Sequence, residues 1–229
     1  MTTQAVGVDG HQAVESGVII PKKMAQRRGG FKKVTVSPSL EVPGIDLQDI
    51  VLHIVGDTPF ISHAWSQKAI QMIQDKQAKK ATAGREMRDP QAEFEASMYR
   101  DAKGKPYIPA IMFKAAAVSA CAQLDNMTKT YARGAFHIGL FKPEVYFTNK
   151  VEPIMRTDMI RVGMGVADVR YRAQFWPWEV DLEVRYNKRA ISAEQIANLL
   201  NVSGFAVGVG EWRPEKDGSM GMYHCAGTK

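Results

Sequence analysis

Apolar and polar positions alternate most clearly from Trp178 to Tyr186, where Val180, Leu182, Val184 and Tyr186 fall on one side. That period of two predicts a strand with one buried face. Ile50–Val55 is a short apolar, β-branched run closed by Gly56-Asp57, and it predicts another strand. Elsewhere the period lengthens to that of a helix. From Ala64 to Ala83 the positions Trp65, Ala69, Met72 and Ile73 share one side, with lysines on the others. Pro90–Tyr99 predicts a short helix with its proline in the first turn. Ile111–Leu124 is alanine-rich and apolar almost all round, with Lys114 its only charge, which predicts a buried helix. Ile191–Leu200 predicts a further helix, with Ser192 as N-cap and Glu194 and Gln195 in its first turn. Phe136–Phe141, Glu144–Phe147, Phe205–Val209 and Met220–Cys225 predict strands, while 148–172 reads as irregular and charged.

In chain order the strongest of these elements run strand, long insertion, helix, strand, strand, helix, strand. A β-α-β-β-α-β order predicts an α+β fold of the ferredoxin-like or RRM kind, with two helices on one face of an antiparallel sheet. The domain expected over 45–229 then carries a long helical insertion at 57–105 and a hairpin insertion at 148–172. Residues 1–44, rich in Gly, Ser, Thr and paired bases, read as an extended basic arm.

Charge sharpens this picture. The net charge is +6, and Lys22, Lys23, Arg27, Arg28, Lys32 and Lys33 stand together without one acidic residue among them. That segment alone accounts for the excess, so the body is near neutral. A basic arm on a neutral body suits a polyanion, whose counterions are released on binding, or it is a solubilising leader. Two distant cysteines, Cys121 and Cys225, predict reduced thiols and a cytoplasmic protein. No apolar run approaches the ~20 residues of a membrane helix. The five histidines lack HxxxH or HExxH spacing, and no GxSxG or GxxxxGK[ST] motif occurs, so no metal, cofactor or enzymatic activity is expected.

Binding chemistry concentrates in three places. Between Gly208 and Gly221 the chain reads GVGEWRPEKDGSMG. Gly208, Gly210, Gly218 and Gly221 allow backbone N–H groups to approach a phosphate, Arg213 and Lys216 add charge, and Trp212 can stack on a base. A core-closing turn is the alternative. Lys114, alone on its helix, either snorkels to solvent or faces a polyanion. Arg156, Arg161, Arg170 and Arg172, interleaved with methionines, suit a finger set against bases and phosphates, or else a solvated hairpin. Asp57, Asp75, Asp89 and Asp101 are read as solvated charges, and His63 as a packing or capping residue rather than a general base.

Two of these segments resemble the RAMP superfamily, the RRM-fold backbone and processing subunits of CRISPR effector complexes. Ile108, Pro109 and Lys114 match the family's Ile-Pro-Gly-Ser-Ser-Leu-Lys-Gly stretch, and Gly208, Gly210, Gly218 and Gly221 match its glycine-rich loop. Ala110-Ile111-Met112 and Ala115 depart from it, removing the small hydroxyl residues and one glycine. The resemblance implies a non-enzymatic subunit that binds guide RNA or single-stranded DNA and assembles with copies of itself and other effector subunits. It also implies a hairpin thumb folded over the strand. An RNA-processing endoribonuclease and a phage assembly protein without nucleic acid remain the alternatives.

Overall fold

The structure, a computed structural model, describes residues 44–65, 67–80, 87–162 and 165–228. The basic segment with Lys22, Lys23, Arg27 and Arg28 lies outside the described residues. The alternating run of Trp178–Tyr186 becomes β8 (Glu179–Asn187), at the heart of a four-stranded antiparallel sheet. It pairs with β1 (Leu47–Gly56) on one side and with β4 (Phe136–Ile138) on the other. β9 (Tyr223–Thr228) lies on the far side of β1, giving the order β4-β8-β1-β9.

The register places Leu52 opposite Leu182 and Ile54 opposite Val180, all fully buried. Onto that face pack α3 (Ala110–Ala120), which leads into β4, and α5 (Ala193–Ala206), which leads into β9. Ser192 caps α5 in a reciprocal box with Gln195, as its sequence predicts. Small residues set the closeness of this packing. A side chain at Gly204 of α5 would run into the backbone carbonyl of Tyr223 on β9. The Tyr223 ring is buried with its hydroxyl on Ser203 at 2.6 Å, and it meets Phe113 of α3 edge-on.

Both insertions carry regular structure. After β1 come a two-residue strand, β2 (Phe60–Ile61), then α1 (Gln67–Gln77) and α2 (Pro90–Ala96), the latter capped by Asp89. A short β3 (Tyr107–Pro109) pairs with β5 (Glu144–Tyr146), and α4 (Lys129–Ala135) precedes β4. The charged segment, without clear periodicity but expected as a hairpin insertion at 148–172, holds a long hairpin, β6 (Ile154–Val162) and β7 (Val166–Phe175), in register from Ile154–Gln174 to Val162–Val166. It hides from a periodicity reading because both its faces carry polar residues. Its arginines 156, 170 and 172 share one face with Asp158 and Asp168, while Met155, Thr157, Met159 and Arg161 point to the other.

Three further expectations are corrected. Phe205–Val209 is no strand: α5 runs on to Ala206, and Gly208 ends it in the left-handed conformation, its N–H on Ser203. α1 does not bury its apolar side, since Trp65 just before it and Met72 are both well exposed. Nor is α3 buried all round. Phe113, Ala116, Ala117 and Ala120 enter the core, but Ile111 is 68% exposed on the other side.

Candidate functional site

The outward side of α3 forms the floor of a groove of about 1170 Å³. Its other walls are α4, the loop after α5, the base of the hairpin, and His63 in the segment after β2. Cations dominate its lining: Lys114, Lys129, Arg133, Arg172, Arg213 and Lys216, against the carboxylates of Glu211 and Glu215. Apolar surface lies among them, notably Ile111 and Trp212. Cations interleaved with a platform ring and aliphatic surface are what a strand of phosphates and bases requires.

Each wall has a local cause. Thr128 caps α4 by accepting from the Tyr131 N–H, and Lys129 and Arg133 then stand four residues apart on one helical side. Neither makes an ion pair among the described residues, and nor does Lys216. These three are the groove's uncommitted charges. The i, i+4 spacing of Lys129 and Arg133 behind a Thr cap is the local signal that points to them.

Lys114 is half-buried and turned inward. Its ammonium donates to the carbonyls of Ala132 (2.7 Å) and Phe136 (2.5 Å) at the end of α4 and lies 3.6 Å from the centre of the Phe136 ring. Desolvation by burial brings its pKa down to about 8. Lys114 lines the groove, yet its first task is to cap the C-terminus of α4 and hold that helix to α3. Cations at helix C-termini are favoured by the helix dipole.

The glycine-rich loop folds upon itself. Val209 N–H donates to Gly221, Met220 N–H to the Trp212 carbonyl, Gly221 N–H to Pro59 and Gly218 N–H to Arg213. Gly221 sits at φ +66°, and a Cβ there would overlap the Val209 carbonyl; one at Gly218 would overlap that of Trp212. Gly208 and Gly210 line the groove, while Gly218 and Gly221 shape the loop behind it. Arg213 is held within the loop, donating to Glu215 (2.8 and 3.1 Å) and to the Gly210 carbonyl (3.1 Å). Glu215 also accepts from Ser119 of α3; that bond and Arg213 hold its carboxyl below the usual range. Arg213 therefore braces the loop internally, and Glu215 ties it to α3. Trp212 is the loop's exception, a bulky residue at φ +54° with its side chain at the groove. Backbone strain of that kind in a large residue persists only where its surroundings impose it, and marks candidate binding positions.

The hairpin arginines divide. Arg172, only 7% exposed, reaches Glu211 (3.3 Å) at the groove. Arg156 pairs with Asp158 (2.7 Å) and Arg170 with Asp168 (3.1 Å) on the same face, and neither lines the groove. Arg161 points to the opposite face with Met155 and Met159. Three of the four arginines thus lie on the face away from Met155 and Met159, and Arg161 alone of the four shares the methionine face.

His63 has a partner that its sequence context does not reveal. Its Nδ1 donates to Glu211, which also meets Arg172. The His63 hydrogen bond, followed by Arg172, holds the Glu211 carboxyl below its usual range against the effect of burial. The four aspartates have structural partners: Asp57 meets His224, Asp75 meets Lys80, Asp89 caps α2, and Asp101 accepts Lys103 and Lys105 amides and the Tyr146 hydroxyl. Among the described residues no cluster of His, Cys, Asp or Glu is arranged to hold a metal, and no helix is long and apolar enough to cross a membrane.

The other face of the four-stranded sheet differs. Its rungs are Asp49–Arg185, Val51–Glu183, His53–Asp181 and Val55–Glu179, which hold four carboxylates against one arginine and one histidine. A phosphate backbone would meet like charge there.

No family model matches the chain, and no curated protein matches it. Among solved structures it is similar to the crystal structure of Cmr6 from Pyrococcus furiosus, at 10% identity and a TM-score of 0.42, covering 80% of this chain and 100% of that one. The likeness is distant, and no residue's role is carried across from it.

Proposed function

We propose that this chain binds single-stranded nucleic acid in the groove beside α3, as a non-enzymatic, RAMP-like subunit whose natural strand is a guide RNA. The observation that carries the reading is that two sequence segments far apart in the chain line one groove. Lys114 from the first and Gly208, Gly210, Trp212, Arg213 and Lys216 from the second meet there, joined by Lys129 and Arg133. A ferredoxin-like core is supported by the strand order β4-β8-β1-β9, with α3 and α5 as the two crossovers. In this reading phosphates lie along Lys129, Arg133 and Lys216, and a base stacks on Trp212. Copies of the chain and other effector subunits are its partners, and base pairing, not the protein, reads sequence.

The test is direct. The protein purified from cells should carry a 260 nm absorbance that nuclease removes, and titration of a labelled single-stranded RNA should give a steep salt dependence. Replacing Lys129 and Arg133 by alanine should flatten that dependence by roughly 0.7 for each phosphate left without its cation. A clean 280 nm spectrum together with an unchanged slope would leave the groove without a strand.

The endoribonuclease alternative gains one specific support. With Nδ1 engaged by Glu211, the other ring nitrogen of His63 is available at the groove to take a 2′-hydroxyl proton. Cleavage of labelled RNA that disappears in both His63→Ala and Glu211→Gln, and persists in Asp57→Ala, would favour the enzyme. No cleavage by the unaltered protein, with or without magnesium, favours the binder.

A further inference from the structure

The open face of the four-stranded sheet is a built surface in its own right. Asp49, Glu183, Asp181 and Glu179 descend it in successive rungs, against the cations of Arg185 and Lys142. The loop between β4 and β5 overhangs this face, anchored by the Gly139 N–H on the Glu183 carbonyl, and ends a cleft of about 400 Å³. The cleft combines Asp49 and Glu183 with Val51, Leu140 and Phe141, and Phe141 is 70% exposed.

Exposed aromatic and aliphatic side chains beside carboxylates match one kind of occupant. A lysine or arginine lays its alkyl stem on apolar surface and turns its charged head to an acid. The Phe141 ring already takes a guanidinium, that of Arg185, at 4.8 Å from its centre. The Lys142–Glu183 pair, at 3.2 Å with both side chains more than half exposed, is weak enough to exchange with an incoming cation. Phosphates are repelled, and a neutral apolar partner would leave four carboxylates desolvated.

We infer that this face is the docking surface for a second macromolecule, a basic protein segment free of acidic residues, seated along Asp49, Glu183, Asp181 and Glu179 with an apolar residue against Phe141. The inference is independent of the groove, which lies against the outward side of α3.

The experiment uses the full chain and a fluorescent peptide with the sequence of residues 20–36, IPKKMAQRRGGFKKVTV, as a basic, acid-free probe. Anisotropy should report saturable binding that weakens with salt. Glu179→Lys with Glu183→Lys, both partly exposed positions, should weaken it at least about tenfold by setting like charges against the probe. Phe141→Ala should weaken it about threefold by removing apolar surface from the cleft, without disturbing the fold. Groove variants at Lys129 and Arg133 should bind the peptide normally, which separates failure here from failure of the groove. Absence of peptide binding, or binding that survives the charge reversal, overturns the inference. Two other occupants would overturn it as well. Carbodiimide coupling of Glu183 to a lysine within 22–33 of the unaltered protein gives the face to the chain's own segment. Self-association abolished by the same reversal gives it to a second copy.

Discussion

The two sides of this molecule solve the problem of surface charge in opposite ways. On the open sheet face charges answer one another at short range: Asp49 holds Arg185 through two bonds of 2.7 Å, and His53 lies 2.8 Å from Asp181. Regular alternation along β1 and β8 places them there, and the strands would keep that geometry whichever polar residues they carried. At the groove, committed and uncommitted charges are mixed. Lys114, Arg172 and Arg213 are tied to protein carbonyls and carboxylates, and they brace the walls. Lys129, Arg133 and Lys216 line the groove without an ion pair among the described residues. A basic surface is thus less informative than the division of labour within it: the paired cations shape the walls and the unpaired ones face the groove.

The sharpest way to break the contrast is through the loop after α5, where Gly221 has no room for a side chain. Gly221→Ala puts a methyl group into the Val209 carbonyl at a φ of +66°. It should destabilise the protein by about 3 kcal/mol or more, seen as a drop in the urea midpoint, with strand binding lost in parallel. An exposed substitution on the sheet, Glu183→Gln, should stay within about 0.5 kcal/mol of the unaltered protein. Equal losses would mean that the loop is no more constrained than the sheet.

Charge reversal comes next in size. Lys129→Glu with Arg133→Glu should weaken strand binding roughly a hundredfold at low salt while leaving the melting temperature nearly unchanged. Glu179→Lys with Glu183→Lys on the other face should not weaken it at all. If both pairs acted alike, net charge and not a groove would be the determinant. Trp212→Ala is a smaller change. Loss of one stacking platform should cost about 1–3 kcal/mol of affinity, and a side chain 37% exposed should take little stability with it. A large stability loss with unchanged affinity would return Trp212 to the core.

What the sequence disclosed follows the same division. β8, the Ser192 cap and the two crossover helices were legible because period and capping chemistry are local. The hairpin was expected as an insertion but its strand bounds were not legible, since polar residues lie on both its faces and pairs such as Arg156 with Asp158, two apart on β6, blur alternation. The site was half legible. Trp212, Lys114 and the glycines stood out by type, but what type cannot reveal is direction. Lys114 turns to α4, Arg213 to its own loop, and Arg156 and Arg170 to hairpin carboxylates. His63 finds Glu211 across 148 residues of chain, a distance no local pattern spans. Lys129 and Arg133 were missed for a plainer reason, that seven residues make too short a helix to register as periodic.

The smallest effect concerns the brace under the groove. Burial brings the Lys114 ammonium down to about 8 from an ordinary 10.5, although two carbonyls and a ring favour its charge. Between those two values the unfolded chain holds a proton that the folded chain has released, so stability should rise with pH there and be flat in this respect below about 8. Cys121 opposes it nearby, since burial raises its thiol and the unfolded chain then loses that proton first. The comparison is therefore made in a Cys121→Ala background, with and without Lys114→Met, by urea unfolding from neutral pH to pH about 10. The chain with Lys114 should gain midpoint across that window, and the methionine variant should not. The variant should also bind a single strand more weakly, because α4 loses the cap that presents Lys129 and Arg133. A methionine variant that kept both the pH gain and full affinity would show that Lys114 neither titrates in this window nor holds the groove wall.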